Sequence, residues 1–173
     1  MNVLLVNGSP HANGCTYTAL EEVAKTLNTE GIETQIFQIG TKPLAGCIAC
    51  KTCAKTGRCA FSDRVNDFLA VRQSFYLKPA AAVVSARRAG TTATFDQLNK
   101  YFTISEMPVI ASRYWNMVHG ATPEDVKKDL EGLQIMRILG RNMAWFLKCK
   151  EAGIKAGVPF PEREENILTN FIR

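Results

Sequence analysis

No stretch of this 173-residue chain reaches the roughly 18 consecutive apolar residues of a membrane-crossing helix. No helical span is therefore expected, and no membrane partner. Also lacking is any run of Lys and Arg interleaved with aromatics. The net charge is +5, but the basic residues are scattered, so nucleic acid is not an expected partner. A mildly positive field suits small anions such as phosphates instead. The opening "MNVLLVNGSPHANG" has no basic n-region, and its apolar run stops at a Gly-Ser-Pro turn after Val6, as a first strand does and a signal peptide does not. A cytoplasmic, reducing setting follows as the expectation, and in it six cysteines do not form a disulfide framework. Catalytic triads, paired carboxylates, repeats and low-complexity segments are likewise missing. His119, in "NMVHG", reads as a structural residue.

What is present is a chain 46% hydrophobic, enough to bury a core. Residues 1–173 read as one domain, with a Cys-rich loop at 46–62 and a C-terminal helix and tail at 123–173. "NVLLV" is a continuous apolar run, as in a strand buried on both faces. After the turn "NGSPHANGCT" comes a helical segment with Leu20, Val23, Ala24 and Leu27 at helical spacing, stopped by Gly31. "ETQIFQI" (33–39) alternates as a second strand. The Cys-rich loop follows, then a short helix opened by Ser62 or Asp63. A buried strand is expected at Ala80–Ala86, a helix over "ATFDQLNKYFTIS", and a short last strand over "MPVIAS". One long helix is expected from Thr122 (N-cap) and Pro123, with Val126, Leu130, Leu133, Met136 and Ile138 on its apolar face. Strands alternating with helices imply an α/β sandwich around a parallel sheet.

The passage "VLLVNGSPHANGCTYTAL" is strand, small-residue loop, helix N-terminus. Backbone N–H groups and the positive end of the helix dipole converge there, which suits a phosphate. Hydroxyls of Ser9, Thr16 and Thr18 can add donors. The loop is neither a Walker loop nor a Gly-x-Gly-x-x-Gly fingerprint. Further on, Cys47, Cys50, Cys53 and Cys59 are spaced C-x2-C-x2-C-x5-C. Crowded thiolates on an irregular loop can converge on an iron–sulfur cluster. Three other readings stay open: a bare loop bordering a ligand pocket, a zinc site and a Cys50–Cys53 redox disulfide. Cys149 reads as a packing residue.

"NGSPHANGCT" resembles the loop that grips the FMN phosphate in the NADPH-dependent FMN reductase and iron–sulfur flavoprotein group of the flavodoxin-like superfamily. "GCIACKTCAKTGRCAFSD" and "KPAAAVVSARRAGTTATFDQLNKYF" resemble later segments of the same group, as does "YWNMVHG". The resemblance implies a three-layer α/β sandwich with parallel strand order 2-1-3-4-5. It implies FMN as cofactor, NAD(P)H as electron donor, and a quinone, flavin or other small acceptor. The protein itself then needs no catalytic residue beyond those that bind and orient the flavin. The alternative it implies is a non-enzymatic electron carrier with FMN and a [4Fe–4S] cluster on the four cysteines, exchanging with ferredoxin. The phosphate cradle falls on Ser9, His11, Asn13, Gly14, Cys15 and Thr16, with His11 where Arg is usual and Cys15 where Asn is usual. A second cofactor-binding loop falls on Ser85, Arg87, Arg88 and Gly90. A homo-oligomer is implied, with Phe146, "YWNMVHG" and "NILTNFI" as candidate contacts.

One part of that pattern is missing. Only "RVNDFLAVRQSFYLKP" separates the helix at Asp63 from the strand at Ala80, and a strand plus crossover helix needs at least about ten to twelve residues for the crossover alone. The third βα unit, with its loop cupping the flavin ring, cannot fit. Two outcomes are expected: an interruption between Ala70 and Leu77, or an intact chain whose fourth strand pairs with the first in a 2-1-4-5 sheet.

Overall fold

A computed structural model describes residues 1–71, 75–165, 167 and 169. Strand β1 (Asn2–Asn7) leads to helix α1 (Cys15–Thr29) and strand β2 (Glu33–Gln38), which pairs with β1 in parallel, Asn2 opposite Glu33 and Asn7 opposite Gln38. Helix α1 ends as its sequence predicts. Gly31 adopts φ 79°, its N–H bonds to the Asn28 carbonyl, and the Ile32 N–H reaches back to the Leu27 carbonyl. Leu27 and Ile32, the apolar pair that accompanies this ending, are both buried.

Two short helices follow, α2 (Thr52–Thr56) inside the cysteine segment and α3 (Arg64–Val71) after it. Strand β3 (Val84–Ala86), helix α4 (Thr91–Ile104), strand β4 (Met117–His119), helix α5 (Pro123–Lys128) and helix α6 (Leu130–Lys155) complete the order. β3 and β4 pair in parallel. The α/β class holds: short parallel strands alternate with helices.

Three expectations need correction. The strand expected over Ala80–Ala86 is regular only from Val84, and "MPVIAS" contributes a single bridge, Val109 opposite Ala80. Between that bridge and the pairing of Val84 with Met117, the first strand advances four residues and its partner eight. The surplus bulges outward as 111–115, carrying Tyr114 and Trp115 to the surface with ring centroids 4.9 Å apart. The long helix is in fact two, because Asp129 ends α5 and caps α6: its Oδ1 accepts from the Gly132 N–H at 2.9 Å and its Oδ2 from the His119 N–H at 2.7 Å. Val126 and Met136 are buried and Leu133 packs on the core as expected, but the break turns Leu130 out of the apolar face. Leu130 is 75% exposed, while Ile135, Met136, Leu139 and Met143 are buried. Thr122 does cap α5, in a reciprocal capping box with Asp125.

Among the described residues no ladder joins β1 to β3, so the direct pairing expected for an intact chain is not formed. Among the described residues the strands form two parallel pairs, β1 with β2 and β3 with β4. The place where a chain interruption would show, 72–74, lies outside the described residues. Packing is correspondingly one-sided. The principal core comes from β1, α1, β4, α5 and α6, including Leu5, Ala19, Leu20, Leu27, Val118, Val126, Met136 and Leu139. Neither α3 nor α4 adds a described residue to it. On the other face a small aromatic group forms instead: the Phe37 and Phe68 rings meet edge to face at 5.9 Å, and Phe75 stacks on Phe68 at 6.3 Å.

Candidate functional site

Parallel strands all point their carboxyl ends to one edge, and ligands of open α/β folds bind there. In this chain that edge gathers the loop after β1, the chain leaving β2, the end of β3 and the residue after β4.

The β1–α1 loop is built on Asn7, which is fully buried. Its Oδ1 accepts the Ser9 N–H at 3.1 Å, an Asx turn, while its Nδ2 donates toward the carbonyls of His11 and Ala12 at 3.5 and 3.4 Å. The Ser9 hydroxyl accepts the His11 N–H at 3.1 Å. Gln38, at the end of β2, donates to the Ser9 carbonyl at 2.6 Å. The loop is therefore shaped before any ligand arrives.

Gly14 occupies the N-cap of α1 and offers no side-chain cap. The first N–H groups of the helix thus face outward without a side-chain acceptor, the arrangement that receives an anion. A Cβ at Gly14 would sit 3.0 Å from His11 Cβ, which explains glycine at the close approach. Thr16 Oγ1 lies 2.8 Å from Ser85 Oγ, joining the start of α1 to β3. The Cys15 thiol lies 3.6 Å from the Gly120 carbonyl beyond β4. Ser9, Gly14, Cys15, Thr16 and Ser85 are thus brought together. His11 and Asn13 are exposed on the rim of the loop. Arg87 and Arg88 are exposed beyond β3, and no hydrogen bond ties them to the loop; Gly90, at φ 87°, caps α4.

The cysteine segment starts from the same edge. Arg64 donates to the Gln38 carbonyl at 2.6 Å and lies 4.7 Å from the Phe37 ring centroid, fixing the start of α3 against the end of β2. Beside it, Asp63 Oδ2 accepts the Ala45 N–H at 3.0 Å, and Asn66 Oδ1 accepts the Cys59 N–H at 2.8 Å. Both ends of 46–59 are clamped to one helix start. Within the loop Ala49 and Lys51 take left-handed φ values of 54° and 58°, which reverse the chain between successive cysteines. The Ala49 N–H points to Cys47 Sγ at 3.4 Å. Cys50 Sγ lies 3.3 Å from the Thr52 hydroxyl, and hydrogen bonding from Thr52, side chain first and backbone next, holds its thiol below the ordinary cysteine value. Cys47, Cys50 and Cys53 are exposed and Cys59 is half-buried; among the described residues no three His, Cys, Asp or Glu side chains are gathered into a metal-holding group. The donor set fits an iron–sulfur cluster in chemistry, being four thiols with N–H···S support on a loop closed at both ends.

Asn7, Gln38, Asn66 and Gly120 were not singled out from the sequence. Asn7 carried a usable signal, a polar residue closing an apolar strand immediately before Gly-Ser-Pro. The others act across distances the sequence does not display.

Comparison with known proteins agrees with this geometry. Residues 1–71 match the family described as NADPH-dependent FMN reductase. An iron–sulfur flavoprotein of Methanocaldococcus jannaschii is 27% identical over 189 aligned positions, covering 86% of this chain and 98% of the relative. Since 86% of 173 residues is about 149, about 40 of the 189 positions fall on residues that the relative alone carries. A strand with its crossover helix is of that size, and the family match ends at Val71, where the third βα unit would begin. Over its first 71 residues the chain thus resembles the NADPH-dependent FMN reductase family, and over most of its length it is distantly similar to an iron–sulfur flavoprotein.

Proposed function

We propose that this chain holds FMN by its phosphate at the β1–α1 loop and moves electrons from NAD(P)H or a reduced ferredoxin to a small acceptor such as a quinone or flavin. The observation that carries this reading is the uncapped start of α1 framed by Ser9, Thr16 and Ser85 at the carboxyl edge of the strands. Bound FMN supplies the redox chemistry. The chain's own residues bind and orient: the N–H groups from Cys15 onward and the Ser9 and Thr16 hydroxyls take the phosphate, and Ser85 fixes the Thr16 rotamer. Asn7 and Gln38 keep the loop in shape. The ring side lacks the wall that a third βα unit would provide, so FMN affinity rests mainly on the phosphate.

A second reading, the iron–sulfur electron carrier, is favoured by the closed cysteine loop beside the phosphate loop. Cys47, Cys50, Cys53 and Cys59 would be the cluster ligands, with Lys51, Lys55 and Arg58 offsetting its charge. Steady-state NADPH oxidation with quinone or free FMN as acceptor separates the two. Turnover supports the reductase; no turnover, together with rapid exchange with reduced ferredoxin, removes it. Anaerobically purified protein carrying about four irons per chain supports the cluster, and iron-free anaerobic protein excludes it. A homo-oligomer is part of the proposal, and sedimentation showing only monomer at micromolar concentration would overturn it.

A further inference from the structure

Helix α6 follows the carboxyl edge of β4 and runs back over 26 residues, about 39 Å at 1.5 Å per residue. The six-residue strands β1 and β2 are only about 20 Å long. The last part of α6 therefore extends past the amino edge of the strands, the end opposite the phosphate loop. There it meets Leu77 and Pro108, and the chain leaving the helix folds back along it. Between them lies a groove of about 440 Å³, within the size range of small-molecule sites.

The walls are almost wholly apolar. Trp145, Phe146, Ile154, Val158 and Phe160 face the groove, and Trp145, Ile154, Val158 and Phe160 are each at least half exposed. Among the described lining residues the one charged group is Lys150. Its ammonium is held in place, donating to the Leu77 carbonyl at 2.7 Å and lying 5.9 Å from the Phe160 ring centroid. An ammonium has three donors, and these contacts do not use them all. Two acids of the neighbouring segments are paired elsewhere: Glu106 with Arg163 and Glu151 with Lys155.

We propose that this groove binds a small amphipathic carboxylate, its apolar body against Trp145, Ile154 and Phe160 and its carboxylate on the Lys150 ammonium. An apolar trough with a positioned cation at one end selects this ligand class. A neutral apolar molecule would leave the ammonium unmatched, and a compact polar anion would leave the aromatic wall uncovered. The site is separate from the phosphate loop, and its test does not depend on whether FMN binds there.

Sodium decanoate below its micelle concentration is the probe, followed by tryptophan fluorescence, with Trp145→Phe assigning the signal. A saturable change lost in Trp145→Phe is expected. Binding should weaken by about 10-fold or more in Lys150→Met and with decan-1-ol in place of decanoate, the scale of a hydrogen bond to a charged group. Lys150→Arg, which keeps the charge, should stay within about 3-fold on the same scale. Circular dichroism confirms that the variants are folded. No saturable response, equal decanoate binding by folded Lys150→Met and Lys150→Arg, or equal binding of decan-1-ol would each overturn the proposal. So would a dimer in sedimentation whose dissociation is what admits decanoate, because a second copy would then be the occupant.

Discussion

Replacing Thr16 and Ser85 separately tests the phosphate cradle, because the two hydroxyls 2.8 Å apart have different duties. If Thr16 donates to the phosphate while accepting from Ser85, Thr16→Ala deletes a hydrogen bond to a charged group, worth about 1.5–3 kcal/mol. That corresponds to roughly 10- to 150-fold in the dissociation constant. Ser85→Ala deletes only a neutral bond that positions Thr16, about 0.5–1.5 kcal/mol, or roughly 2- to 12-fold. In the double variant the Ser85 effect should vanish, since nothing remains for it to position. Flavin fluorescence quenching measures all four proteins, with riboflavin as the control lacking a phosphate. Riboflavin affinity should be nearly unchanged throughout. Equal losses for FMN and riboflavin, or a Ser85→Ala effect larger than that of Thr16→Ala, would refute the assignment of the phosphate to this loop.

Other expectations follow from the same contacts. A Cβ at Gly140 would lie 2.8 Å from Thr26 Cβ and 3.3 Å from the Val23 carbonyl, so Gly140→Ala forces α1 and α6 apart. Overpacking of about 1–3 kcal/mol, against about 1 kcal/mol gained in helix propensity, should lower the melting temperature by up to several degrees; a rise would contradict the packing. Asp63→Ala removes the acceptor of both the Ala45 and Val65 N–H groups and should speed proteolytic cleavage within 46–59, while unchanged cleavage would show that the clamp does not hold the loop. In iron-free reduced protein Cys50 should react with iodoacetamide at lower pH than an ordinary exposed thiol. Thr52→Val should raise that pH, because the Thr52 hydroxyl favours the thiolate; an unchanged profile would remove Thr52 as the cause.

Local features were legible in the sequence because their causes are local. The end of α1 at Gly31, the Thr122 cap and the anion-receptive start of α1 each depend on residues a turn apart. The pairing of strands was less legible. "MPVIAS" has strand composition, yet its ladder is interrupted because a surplus of residues before Met117 must bulge away, which only the partner strand reveals. Leu130 was misplaced on the apolar face for a similar reason. Asp129 reads as an ordinary helix residue until the His119 and Gly132 N–H groups are seen converging on it. In the site, Ser9 and Thr16 were visible as hydroxyls beside a helix start. Gln38 and Gly120 became part of it only because parallel strands end at a common edge. The shortage of chain between Asp63 and Ala80 was visible from counting alone, and what it does to strand pairing was not.

The one-sided core divides the molecule into two regions of unequal permanence. β1, α1, β4, α5 and α6 share the large apolar cluster and should exchange their amide hydrogens only when the whole chain unfolds. The cysteine segment and α3, held mainly by a few hydrogen bonds and the Phe37–Phe68–Phe75 group, should open at much lower cost while the rest stays native. On the iron–sulfur reading proposed above, that inequality would have a use: iron and sulfide would reach the four thiols through a loop that opens alone, while the frame and the phosphate loop stay folded.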